Sequence, residues 1–266
     1  MKQAAFLGTG NMGGALVRAA CRSVGAEEVI LSNRTPAKAQ ALADETGCSV
    51  AEDNRAAAES ARYLFLVVKP HMVRQLLEEI APVLTRGQVL VSMAAGLTTE
   101  TLASWSPEGV PILRIMPNTP SAIGKGMTAL CAAPGVAEEH LAAVETILAG
   151  AGRIERLEER LMDAFSAVAG CGPAFVYPFL EAMADGGVLA GLPRKQAMVF
   201  AAQTMLGAAA LVLESGEHPG ALKDAVCSPG GSTIEGVVAL ERHGFRGAVL
   251  DAVEAAWKKN TALGKA

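Results

Sequence analysis

Gly8, Gly10 and Gly13 stand at the spacing G-x-G-x-x-G, with Thr9, Asn11 and Met12 between them, directly after the apolar run Ala4-Ala5-Phe6-Leu7. Each glycine has its own physical task. Gly8 allows a tight turn, Gly10 lets backbone approach a pyrophosphate that a Cβ would hold off, and Gly13 lets the next helix pack close to the strand. Phosphates would rest at that helix's N-terminus, where free N–H groups and the helix dipole attract anions. Glycine-rich turns are common. This one lies between a short buried strand and the helical run Ala15 to Cys21, the context that makes it a dinucleotide fingerprint.

The residues that would choose between dinucleotides follow a second apolar run, Val29 to Ser32. Asn33 stands 20 residues beyond Gly13, where Asp or Glu commonly meets the ribose 2′-hydroxyl of NAD. Here the chain reads Asn33-Arg34-Thr35-Pro36. A guanidinium can pair with a 2′-phosphate, and Thr35-Pro36 can open a helix whose first N–H groups add to the attraction, so NADPH is favoured over NADH. Position alone also allows Arg34 as a solvated charge on a turn.

Three further apolar runs reach the same sheet edge. Tyr63 to Val68 reads as a parallel strand buried on both faces and stops at Lys69-Pro70. Lys69 there either faces the cofactor or is simply a polar strand end before a proline. Gln88 to Met93 is followed by Ala94-Ala95-Gly96, small enough to leave room for a nicotinamide or a pyrophosphate. Ile112 to Met116 precedes the rigid polar turn Pro117-Asn118-Thr119-Pro120; Gly126 to Ala132 and a helix from Ala137 to Ala149 complete the series.

In the second half, chemistry concentrates in Cys227-Ser228-Pro229-Gly230-Gly231-Ser232-Thr233-Ile234-Glu235. Two glycines lead into a helix start, with Ser232 and Glu235 at capping-box spacing, so backbone N–H groups cluster at a positive helix end. Such a nest suits a small carboxylate, and the Thr233 hydroxyl can hydrogen-bond a nitrogen or oxygen of the same ligand. An ordinary capped turn between two helices has the same sequence signature.

Strands alternating with helices predict an α/β fold: an N-terminal Rossmann-type doubly wound sheet over residues 1–156 and an all-helical domain over 157–266. The helical half carries more apolar surface than one small domain hides, which predicts a homodimer built through it. The net charge of −4 is spread without a basic stripe, which excludes nucleic acid as an expected partner. Five scattered cysteines with no nearby histidine pair predict free thiols and no metal site. The longest apolar run, Val199 to Leu213, falls short of the roughly 18 residues of a membrane span. With no charged leader before the fingerprint, a cytoplasmic protein is expected.

The segments GTGNMG, VVKP, RIMPNTP, GCGPAF and LKDAVCSPGGSTI, in this order from residue 8 to 234, resemble pyrroline-5-carboxylate reductases. That family reduces Δ1-pyrroline-5-carboxylate to L-proline with NAD(P)H, the last step of proline biosynthesis. The resemblance implies that Gly8 to Gly13 cradle the pyrophosphate and that Asn33, Arg34 and Asn54 line the adenosine end. It further implies that Val68, Lys69, Pro70, Ala94, Ala95 and Gly96 lie along the nicotinamide. Glu159, Ser228, Gly230, Gly231, Ser232 and Thr233 would form the substrate pocket. It also implies an intertwined dimer, often assembled into decamers. Two positions depart from the family: Cys171 stands where Ser is common, and Ala225 where some members place a ligand-contacting Asn. A hydroxyacid dehydrogenase on the same plan would need Lys195 or Lys223 as its catalytic lysine, and neither lies in a matching motif.

Overall fold

Successive residues of β1 (Lys2–Leu7) enter different cores: Ala4 and Phe6 belong to one, Ala5 and Leu7 to the other, and all four are fully buried. A strand covered on both faces has this pattern. In the computed structural model, which describes residues 1–263, β1 lies in an eight-stranded sheet. The other strands are β2 (Val29–Ser32), β3 (Ser49–Val50), β4 (Ala61–Leu66), β5 (Val89–Ser92), β6 (Ile112–Pro117), β7 (Gly126–Ala132) and β8 (Gly152–Arg156). Their order is β3-β2-β1-β4-β5-β6-β7-β8, and pairing is parallel from β3 through β6. The first six strands therefore follow the doubly wound order. β7 runs antiparallel to β6, because only a short 3₁₀ turn, Thr119–Ile123, and the left-handed Gly124 join them. A parallel return needs a crossover of a dozen or more residues.

Helices cover both faces. They are α1 (Asn11–Val24), α2 (Pro36–Thr46), α3 (Asn54–Ser60), α4 (Pro70–Ile80), α5 (Thr99–Ser104) and α6 (Glu138–Leu148). On the Phe6 face, Leu16, Leu42 and Ile147 come from α1, α2 and α6; on the Leu7 face, Ala57, Leu77 and Leu102 come from α3, α4 and α5. Phe6 stacks on Phe65 of β4 with ring centroids 4.5 Å apart, which fixes the two central strands side by side.

The chain divides into two compact units, one of Met1–Cys171 together with the segment from Ala256 onward, the other Gly172–Ala255. The sequence division at residue 156 is earlier, and the reason is packing. Met162 is buried with Ala129 and Cys131 of β7, and Leu157 and Phe165 pack beside them, so residues after β8 stay with the sheet. They form a 3₁₀ turn, α7 (Met162–Phe165) and a π-turn over Ser166–Gly170. The Asn118 side chain holds that turn by donating to Ala169 O at 2.9 Å, while its Oδ1 accepts from Met127 N at 2.9 Å.

The second unit is helical: α8 (Gly172–Leu189), α9 (Arg194–Ser215), α10 (Pro219–Ala225), α11 (Ser232–Arg242) and the first part of α12 (Phe245–Leu263). α8 and α9 meet at Ala184, Ala197 and Ala201, small residues that bring the backbones close. Much of the rest is apolar and open: Tyr177, Leu189, Leu206, Leu213 and Leu250 are each more than half exposed. By length and composition 159–189 and 194–215 are apolar enough to cross a membrane, although the apolar run Val199 to Leu213 within the second is short and carries Gln203 and Thr204.

Candidate functional site

A cleft of about 850 Å³ opens at the carboxyl ends of β1, β2 and β4, where the strand order reverses. Open α/β sheets place ligands at this switch point. Its floor is the glycine turn. Gly8 has φ +110, and a Cβ there would lie 2.4 Å from Val67 O; a Cβ on Gly13 would lie 2.6 Å from Val67 Cγ1 and 2.9 Å from Gly8 O. These two glycines allow β1, β4 and α1 to approach. Gly10 differs: it caps α1 in an extended conformation, and a Cβ there would meet nothing within 4 Å. The empty space is the cleft itself, beside the unpartnered first N–H groups of α1. The residues thus fit a pyrophosphate.

All six fingerprint residues, with Asn33, Arg34, Asn54, Val68 and Lys69, line this cleft. Asn33 Nδ2 donates to Thr9 Oγ1 and its Oδ1 accepts from Thr35 N, joining the glycine turn to the start of α2. Pro36 at the first turn of α2 matches the expected helix start. Arg34 is exposed and forms no ion pair among the described residues, so its charge is available to a ligand. Asn54 is committed on both sides: Oδ1 accepts from the buried Ser32 hydroxyl at 2.6 Å, and Nδ2 donates to Glu79 at 3.0 Å.

Four residues assigned to the nicotinamide side do not line this cleft. Pro70, Ala94, Ala95 and Gly96 are outside the cleft wall; Ala94 is 3% exposed and packs in the Leu7-side core, while Met93 and Thr119 take the wall positions. Sequence reasoning also passed over Glu52, Asp53, Gln75 and Glu79. Asp53 had a signal: an Asp before the alanine-rich run is an N-cap, and its carboxylate accepts from Ala56 N at 2.7 Å.

Glu159 belongs to the first unit and is held there. Oε1 accepts from Thr99 N at 2.7 Å and from Arg114 Nη1 at 2.6 Å, and Oε2 accepts the Thr99 hydroxyl at 2.7 Å. Burial works against its charge, but Arg114 and Thr99 outweigh it and hold the carboxyl below the usual carboxylate range.

In the second unit, Ser228-Pro229-Gly230-Gly231 forms a turn closed by Gly231 N donating to Ser228 O at 3.0 Å, with Gly230 left-handed at φ +67. A side chain on Gly231 would strike Ser228 Oγ at 2.3 Å. Ser232 does not form the expected capping box. Gly231 is the cap and Ser232 is already in α11, with no side-chain cap bond. The first N–H groups of α11 therefore lack a side-chain partner, which leaves the nest more open than a capping box would. Ser228, Ser232 and Thr233 are exposed.

A doubly wound sheet with an open glycine cradle at its switch point, followed by a helical half, defines the class of NAD(P)-dependent oxidoreductases. Residues 3–96 match the family model for NADP oxidoreductases that are coenzyme F420-dependent, and 159–263 match that for pyrroline-5-carboxylate reductase dimerisation. The chain is 42% identical over 266 residues to pyrroline-5-carboxylate reductase of Escherichia coli, covering 99% of both. Among solved structures it is similar to the enzyme of Coxiella burnetii (TM-score 0.92, 30% identity, 98% of each chain covered). It is likewise similar to that of Plasmodium falciparum with NADP bound (TM-score 0.87, 31% identity, 99% and 98% covered). The chain belongs to the pyrroline-5-carboxylate reductase family.

Proposed function

We propose that this protein reduces Δ1-pyrroline-5-carboxylate to L-proline with NADPH, the last step of proline biosynthesis. The observation that carries the reading is the presence on one chain of the open cradle at Gly10 and the uncapped Ser228–Thr233 turn, in a member of this family. The first N–H groups of α1 would hold the pyrophosphate and Arg34 the 2′-phosphate. Bound NADPH supplies the hydride. The N–H groups that open α11, preceded by Gly230 and Gly231, bind the substrate carboxylate, with Ser228 and Ser232 beside them. Thr233 donates or accepts one hydrogen bond at the ring nitrogen and so orients the C=N bond. A threonine hydroxyl is too weak an acid to protonate an imine at neutral pH, so the proton arrives with the substrate or from water. Positioning of the two reactants supplies most of the acceleration. Glu159, placed in the substrate pocket by the resemblance, holds Arg114 and Thr99 through its three hydrogen bonds.

The exposed apolar helices 172–189 and 194–215 pair with a second copy, giving a homodimer that assembles further into decamers, in a soluble cytoplasmic enzyme without nucleic-acid or membrane partners. Oxidation of NADPH followed at about 340 nm with the cyclic imine, and proline as product, tests the activity. Tight NADPH binding with no turnover would overturn it. Light scattering tests the assembly: a monomer at micromolar concentration would remove the dimer.

A further inference from the structure

The cleft continues past Arg34 along one face of α4. Met72, Gln75, Leu76 and Glu79, at the spacing i, i+3, i+4, i+7, all line it. Glu79 is tied to the end of β2. The buried Ser32 hydroxyl donates to Asn54 Oδ1 at 2.6 Å, and Asn54 Nδ2 donates to Glu79 Oε2 at 3.0 Å. Ser32 immediately precedes Asn33 and Arg34, so Glu79 stands on the adenosine side of the cleft, away from Met93 and Thr119, which follow β5 and β6.

Two bonds make Glu79 a fixed acceptor. A carboxylate can only accept, so it requires Asn54 to present its NH2 group here and its oxygen to Ser32. Arg55 Nε anchors the backbone of the same residue by donating to Glu79 O at 2.8 Å. Oε2 is thus engaged, while Oε1 accepts no hydrogen bond among the described residues. The neighbouring polar groups are not held in this way. The side chains of Glu52 and Gln75 are exposed and make no hydrogen bond among the described residues, and Asp53 is engaged in capping α3.

We propose, on the reading that NADPH occupies this cleft, that Glu79 sets the base specificity of the cofactor site by accepting the exocyclic amino group of adenine on Oε1. Met72 and Leu76, in the preceding turns of α4, offer apolar surface to the flat face of a purine, which leaves its amino edge to a polar partner. Adenine carries a donor at that edge. Hypoxanthine carries a carbonyl oxygen instead, and two acceptors facing each other repel. Hypoxanthine also gains a proton at the next ring nitrogen, but a carboxylate fixed by Asn54 cannot follow it without giving up that bond. A site built to accept from an N–H rejects the analogue that lacks it, because its own polar group is left unpaired.

The test titrates the full-length protein with NADPH and with its reduced hypoxanthine counterpart, read by nicotinamide fluorescence in the absence of substrate. Wild type should bind NADPH about tenfold more tightly, the lower end for a hydrogen bond to a charged group. In Glu79→Ala the dissociation constant for NADPH should rise roughly tenfold while that for the hypoxanthine form stays level or falls, so the difference between them closes. Equal binding of both by wild type would overturn the proposal and leave the cofactor reading standing. Parallel weakening of both in the alanine protein would also overturn it, showing that Glu79 serves only to hold Asn54. No binding of NADPH by wild type would overturn the cofactor reading and the proposal with it. The wild-type comparison needs no variant, so a folding defect in the alanine protein leaves the test intact.

Discussion

Glu159 accepts both the backbone N–H and the hydroxyl of Thr99, each at 2.7 Å, one on each carboxylate oxygen. Arg114 adds a third bond from β6, so one carboxylate joins the start of α5, the sheet and the segment leading to α7. Arg114 has only 5% of its side chain exposed. Removal of its partner strands a buried cation.

Glu159→Gln keeps the shape of the side chain and loses the charge. The folded carboxyl titrates below its unfolded value, so its stabilisation is complete above about pH 4.3 and disappears as pH falls through the folded value. The expected cost in urea unfolding is about 3 kcal/mol at neutral pH, the lower end for a broken buried pair. The gap to wild type should narrow below about pH 4 as the wild-type carboxyl loses its charge. An equal gap at both pH values would show that Glu159 acts through shape alone.

Gly10 and Gly13 should separate binding from folding. Gly10→Ala places its methyl in open space at φ −66, so stability should shift by less than about 1 kcal/mol while NADPH affinity falls at least roughly tenfold. Gly13→Ala forces a methyl against Val67 Cγ1 and Gly8 O and should cost about 1–3 kcal/mol. Calorimetry and cofactor titration check both. A Gly10→Ala protein that binds NADPH normally would remove the pyrophosphate from that position.

The fold was legible because periodicity and glycine spacing are local. The buried runs, the fingerprint and Thr35-Pro36 each became the element they predict. The site was legible in part. The Ser232 capping box failed because Gly231, with extended φ and ψ, takes the cap itself. Ala94 packs in the Leu7-side core while its neighbour Met93 lines the cleft, a distinction that residue type at a strand end does not make. Glu159 meets Thr99 and Arg114 across 60 and 45 residues, pairs that no local pattern contains. α12 carries a helical period in Phe245, Val249, Ala252, Val253 and Ala256, in keeping with the all-helical half expected over 157–266.

Arg34→Ala should raise KM for NADPH roughly tenfold and leave KM for NADH almost unchanged, since a charge-assisted bond to a 2′-phosphate has no counterpart on a 2′-hydroxyl. Arg34 is exposed and forms no ion pair among the described residues, which makes a folding effect small. Initial rates with each cofactor at saturating imine decide it. A uniform rise with both would place Arg34 on the shared pyrophosphate.

Thr233→Ala tests the substrate turn. Thr233 is the second residue of α11, exposed, and among the described residues no hydrogen bond in the second unit depends on its hydroxyl. The fold should tolerate the change within about 0.5 kcal/mol. If the hydroxyl orients the imine, kcat/KM falls roughly 10- to 100-fold, matching about 1.5–3 kcal/mol for a hydrogen bond to a charged group. NADPH affinity, measured by fluorescence titration, should stay at the wild-type value, because the cradle lies on α1. Thr233→Ser retains the hydroxyl and should recover most of the rate. Full activity in the alanine protein would discard the orienting role and leave the α11 N–H groups as the chief substrate contacts. Loss in both the alanine and the serine protein would instead show that the threonine methyl, through packing, shapes the site.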